Sequence, residues 1–152
     1  MVVDGPGTVA FASGAVQFSG VAEVKQGTLD LSAAGTVSNL KVKGPGAISG
    51  GTLSNPTIVL DADSAWGESS VPMFSGCAFS GTVKIDCGRT EANPLTPSSA
   101  PVVVARFTGA APNVSGWRLV NTGTTNIRGN FTVSGDTVVA TVRETGFVII
   151  YR

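Results

Sequence analysis

Gly27-Thr28-Leu29-Asp30-Leu31 begins a stretch that states one short unit and then repeats it. Within it, Gly35-Thr36-Val37-Ser38-Asn39-Leu40 returns 16 positions later as Gly51-Thr52-Leu53-Ser54-Asn55-Pro56. The Gly-Thr-apolar opening also occurs at Gly7-Thr8-Val9 and Gly81-Thr82-Val83, with a weaker echo at Gly123-Thr124-Thr125. A second element, Gly5-Pro6-Gly7 followed by Val9, comes back 39 positions on as Gly44-Pro45-Gly46 followed by Ile48. Recurring strand-plus-turn units are the signature of stacked β architecture.

Outward from this stretch the pattern holds. Val16 with Phe18, Ala22 with Val24, Leu29 with Leu31 and Leu40 with Val42 alternate with polar residues, the mark of half-buried strands. Glycines at positions 14, 20, 27, 35, 44 and 46 punctuate the strands and supply corners. Spacings this short leave no room for helical crossovers, so the chain reads as all-β.

Two architectures compete. A sandwich joins its strands by hairpins and wants Asn-Gly or Asp-Gly pairs between alternating runs. Asp4-Gly5 is the only such pair, and it does not lie between two such runs. A parallel β-helix, or β-solenoid, instead turns a corner after each short strand and pairs with itself one coil later. Offsets of 16, and of 39 taken as two coils, predict about 16 to 20 residues per coil. The chain would then hold roughly eight coils, a rod about 40 Å long. Leu29, Leu31, Leu40, Val42, Leu53, Ile58 and Leu60 are the expected interior.

One domain is expected, with repeat coils over 1–92. An exposed loop follows at 93–101, where Pro94, Pro97 and Pro101 argue against a central strand. The last coils and a cap should occupy 102–152. The cap would end in a terminating strand, Phe147 to Tyr151, apolar on both faces, to cover the open end of the stack.

Composition narrows the function. Charged residues make up only 13% of the 152 residues, while 42% are hydrophobic, a balance that opposes disorder. Ten basic and ten acidic residues cancel, and no basic stripe exists to neutralise phosphates, so nucleic acid is not an expected partner. No apolar run approaches the ~20 residues of a membrane helix. The start, Met1-Val2-Val3-Asp4-Gly5, has neither a basic n-region nor an h-region, so the chain is either cytosolic or a piece of a longer exported one. Met1 leads straight into a repeat with nothing resembling a cap, which favours a piece stacked against upstream coils.

There is no histidine, which removes the commonest general base and metal ligand. No Gly-x-Ser-x-Gly elbow occurs, and Gly44-x-Gly46 does not complete a dinucleotide fingerprint. Asp61-x-Asp63 begins like a calcium loop, but Ala65, Trp66 and Pro72 stand where it needs a ligand, a glycine and a glutamate. Asp30, Asp61, Asp63 and Asp86 share no common offset of the kind a carboxylate pair on one face would need. Catalysis, cofactor and metal are therefore not expected. Trp66, in a polar loop with Asp61 and Asp63, is the candidate ligand contact, as a platform for a sugar ring. Trp117, in an alternating strand, reads as core or cap packing. Cys77 and Cys87 flank the Gly81 turn. If the chain bends back near Thr82 they could form a disulfide; otherwise they are buried thiols in adjacent coils.

The unit Gly-Thr-Leu-Asp-Leu, with Gly-Pro-Gly-Ala-Ile-Ser-Gly-Gly-Thr-Leu at 44–53, resembles the autotransporter-associated β-strand repeat, also called the passenger-associated transport repeat. Residues 5 to 55 carry the resemblance best. Residues 102–152 look like the C-terminal segment of repeat-rich surface proteins of the Verrucomicrobia–Lentisphaerae type. The resemblance implies a right-handed parallel β-helix in an exported, cell-surface passenger, acting as a structural or adhesive module. A carbohydrate-binding or carbohydrate-cleaving β-helix is the alternative, with a surface carbohydrate as its ligand.

Overall fold

The computed structural model of the protein describes residues 1–14, 16–61 and 66–146. Asp63 and the expected terminating strand at 147–151 lie outside the described residues. Every regular element in those residues is a strand.

The chain winds through three parallel sheets, one strand on each per coil. Coil one holds β1 (Val2–Val3), β2 (Thr8–Ala10) and β3 (Val16–Gln17), and coil two β4 (Val21–Val24), β5 (Thr28–Asp30) and β6 (Thr36–Ser38). Coil three holds β7 (Lys41–Lys43), β8 (Ala47–Ser49) and β9 (Thr52–Ser54), and coil four β10 (Thr57–Val59), β11 (Met73–Ser75) and β12 (Ala78–Ser80). Coil five contributes β13 (Lys84–Arg89) and β14 (Ser98–Thr108), and β15 (Arg118–Thr122) then returns to the first sheet. A hairpin follows, β16 (Ile127–Ser134) and β17 (Thr137–Glu144). The architecture is a parallel β-solenoid.

The register shows why the repeat exists. On the first sheet Ala22, Val42, Ile58, Ile85 and Leu119 lie one above the other. On the second the column is Val9, Leu29, Ile48, Phe74 and Phe107. On the third it is Val16, Val37, Leu53 and Phe79. All three columns face inward, and side chains grow larger from coil one upward. The interior residues expected from sequence are all buried, from Leu29 to Leu60. Burying each such side chain is worth about 1.5–3 kcal/mol.

Close stacking dictates the corners. A Cβ on Gly46 would stand 2.3 Å from Val24 Cγ1 and 2.7 Å from the Val24 carbonyl oxygen, so nothing larger than glycine fits. Asn39 and Asn55 hold the same corner one coil apart with φ of 55° and 50°, the left-handed region that asparagine tolerates. Asn55 Oδ1 accepts from the Thr82 amide one coil further on, at 3.0 Å.

Three expectations change. The 16-residue offset is the shortest coil and not the rule: Ile58 to Ile85 spans 27 residues and Ile85 to Leu119 spans 34. The stack is therefore shorter than eight coils. Six strands deep in the first sheet, it measures about 24 Å at ~4.8 Å per step. Pro101 is also not in a loop. It lies in β14, between Ser98 and Val102, where the pairing to β17 shifts register. That segment of β14 has no strand on its other side, so the missing amide costs no ladder bond.

The cap is likewise antiparallel. β17 pairs antiparallel with both β14 and β16, extending the second sheet beyond the last parallel strand. Ser134 pairs with Thr137 across a two-residue turn, Gly135-Asp136. Gly135 has φ of 60° and Asp136 is not left-handed, the pattern of a type II′ turn that suits strand twist. Phe74, Phe79, Trp117 and Phe131 form a chain of ring contacts from coil four into this hairpin, with centroids 5.1, 5.7 and 6.1 Å apart.

Candidate functional site

The corner between the first and second sheets is tight in coils one to three, where Gly5-Pro6-Gly7, Gln26-Gly27 and Gly44-Pro45-Gly46 make the turn. Above them it swells. Coil four inserts residues 60–72 there and coil five inserts 90–97, which accounts for the longer coils. Loops carried on a rigid stack are where binding groups are usually placed.

Trp66 lies in the first insertion, half-buried against the core. Its Nε1–H donates to the Asp61 carbonyl at 2.9 Å, and the Arg89 guanidinium lies over its ring at 5.9 Å. A flat stacking surface is thus partly taken by a cation from the next coil. Arg89 follows a glycine bulge: Gly88 has φ of 59°, and the β13–β15 register shifts between Asp86 and Arg89. Bulges re-aim side chains. Here Arg89 lines a shallow hollow of about 630 Å³ with Glu91, Asn121 and Thr124. The structure brings Trp66 and Asp61 together, as the sequence suggests. Arg89, 23 residues further on, was not legible as their neighbour because the insertion's length hid the coil offset.

The carboxylates do not converge. Asp30 accepts from the Ser32 hydroxyl at 2.6 Å, the Ser32 amide at 3.0 Å and the Ser49 hydroxyl at 3.2 Å. The Ser32 hydroxyl, then its amide, hold the Asp30 carboxyl below the usual carboxylate value. Asp86 accepts from the Gly88 amide at 3.0 Å. Each closes a local turn. Among the described residues Glu91 is the only acid lining the hollow, whereas glycoside cleavage uses two carboxylates flanking the bond. Among the described residues no three His, Cys, Asp or Glu side chains gather into a metal-binding group.

The bend at Thr82 that a disulfide required does not occur. β12 belongs to the third sheet and β13 to the first, so the chain rounds a corner there and continues its coil. Cys77 and Cys87 are free thiols. Burial pushes Cys77 up to about 11. Burial, with Asp86 adding to it, pushes Cys87 up to about 12. Both are poor nucleophiles at neutral pH.

A further surface lies at the coil-one end. Val9 is 41% exposed and Val2 58%, while Leu29, the register partner of Val9 one coil on, is 0% exposed. β1, β2 and β3 each form the edge of a sheet. Among the described residues nothing covers the interior of the solenoid at this end.

Fold and surface together define a parallel β-solenoid with one open face and one capped face. In comparisons with known proteins, no family model, curated protein or solved structure matches the chain.

Proposed function

We propose that the protein is a non-catalytic structural module, the capped terminal unit of a longer β-solenoid, whose open face stacks on further parallel coils. The observation that carries this reading is the contrast between Val9 and Leu29: one position in the repeat, exposed in coil one and sealed in coil two. The interior columns and corner glycines repeat coil by coil. A coil of the same cross-section would therefore meet three strand edges and the apolar columns at once. The Gly-Thr-Leu repeat supports the finer reading, a structural or adhesive role in an exported, cell-surface passenger protein. Singly placed acids and the absence of histidine from the sequence support a role without chemistry.

The test is to add a coil. Fusing a second copy of residues 21–40 ahead of Met1, in the register of β4 on β1, should raise the melting temperature. Repeat stability grows through nearest-neighbour interfaces. An unchanged or lower melting temperature in a monomeric fusion would contradict the stacking reading. Turnover of a polysaccharide panel by the purified protein would contradict the non-catalytic part.

A further inference from the structure

The cap carries a second feature, independent of the stacking reading. β15 is the last strand of the first sheet and β16 the last of the second. They face each other across a seam without pairing, and Gly129 lets them close: a Cβ there would stand 2.7 Å from Leu119 Cγ. The seam holds a hollow of about 300 Å³, lined by Trp117, Arg118, Leu119, Ile127, Arg128 and Gly129.

Three donor side chains, one indole and two guanidinium groups, belong to residues that line this hollow. Trp117 is 6% exposed and its Nε1–H is buried with no acceptor, an orphan donor shared in kind only with Arg89 Nε and Arg106 Nε among the described residues. Arg118 and Arg128 line the same hollow from the two strands. Each has a cation as its register neighbour: Lys84 beside Arg118 on the first sheet, and Arg143 opposite Arg128 in the hairpin. Like charges directly opposite each other destabilise a sheet. Two of the ten basic residues of a sparsely charged chain nevertheless line one hollow, and two more are their register partners.

Among the described residues no acid is ion-paired to these four cations. Glu144 accepts from Asn126 Nδ2 at 2.7 Å, and Asp86 from the Gly88 amide at 3.0 Å. Among the described residues the only ion pair is Lys25 with Asp4, in coils one and two. The Arg89 hollow at the insertion corner lacks this asymmetry, because Glu91 lines it too.

We propose that the seam between β15 and β16 is an oxyanion-binding site that takes one sulfate or phosphate group. Arg118 and Arg128 close on the charge from two sides, and the Trp117 indole N–H donates to one oxygen. Guanidinium groups match the geometry of a tetrahedral oxyanion, and charge-assisted bonds are the strong ones. The volume suits one such group with part of the molecule that carries it. The group could be free inorganic anion or a sulfate ester on a saccharide, and the two sources are separable by experiment.

The test uses the intact ¹⁵N-labelled protein, with the Trp66→Phe variant to assign the two indole signals. Sodium sulfate, a singly sulfated disaccharide and its unsulfated parent are titrated at matched ionic strength, with sodium chloride as the control. The Trp117 Nε1–H signal and the amides of 117–119 and 127–129 should shift with sulfate and with the sulfated sugar. Tighter binding of the sulfated sugar would assign the site to a glycan, and equal binding to the free anion. Arg118→Gln with Arg128→Gln should weaken binding by about tenfold or more. Both side chains are exposed and like-charged, so the melting temperature should hold or rise, which separates a binding role from a structural one. No shift of the Trp117 indole signal, the same shift with chloride, or unaltered binding by the double variant would overturn the proposal.

Discussion

The two ends of this solenoid solve the same problem in opposite ways. Both must dispose of apolar columns and unpaired strand edges. At the C-terminal end the chain reverses direction: β16 and β17 turn antiparallel, the columns end in Phe107, Leu119 and Phe79, Trp117 packs on Phe79, and the coils beneath are widened by insertions. At the coil-one end nothing is changed: the columns stop at Val9 and Val16, and the corner Gly5-Pro6-Gly7 is the same as the one two coils on. A parallel stack has no internal reason to end, so termination requires new sequence. On the proposed reading, the open face receives a further coil.

The largest effect should come from removing the cap's anchor. Trp117→Ala takes the indole out of the ring chain that joins Phe79 to Phe131. It should destabilise the protein by about 3–5 kcal/mol, measured by urea titration. A loss below about 1 kcal/mol would mean the hairpin is held by its own pairing and does not seal the core.

Next come matched truncations along the stack. Leu53→Ala, in the sealed part of the third column, should cost about 2–5 kcal/mol. Val9→Ala, at the open face, should cost under about 1 kcal/mol, because the side chain is already 41% exposed. Comparable losses at the two positions would erase the distinction between the ends.

The smallest effect isolates the turn. Gly135 has φ of 60° and no atom within 4 Å of where a Cβ would sit, so Gly135→Ala tests conformation alone. It should cost about 1–2 kcal/mol. Asn39, also left-handed at φ of 55°, should respond in the other direction, with Asn39→Gly neutral or slightly stabilising.

The stack was legible because its repeat is physical. Residues 35–40 and 51–56 match because Val37 lies directly on Leu53, and Asn39 and Asn55 turn the same corner. The offset of 39 between the two Gly-Pro-Gly elements does correspond to two coils. What escaped was non-repetitive. Insertions of 60–72 and 90–97 changed the coil length while the inward columns stayed in register, so a single offset could not count coils. A cap was expected, but its hairpin form escaped because Gly135-Asp136 makes a type II′ turn, which places glycine first, while Asn-Gly and Asp-Gly place it second. Trp66 and Asp61 were legible as neighbours in one loop. Arg89 over Trp66, and Arg118 and Arg128 on one hollow, depend on separations of 23 and 10 residues that nothing in the sequence announces.

Amide hydrogen exchange resolved by residue tests the central claim most directly, because it reads both ends at once. The ladder amides of Ala47, Thr52, Thr57 and Met73, which donate from one coil to the next at 2.7–3.1 Å, should be the slowest in the protein. Amides of β16 and β17 should exchange nearly as slowly, as a packed cap requires, while those of β1, β2 and β3 exchange much faster. Protection of coil one equal to that of coil three, or a hairpin that exchanges as freely as the open edge, would contradict the account of one sealed end and one open end.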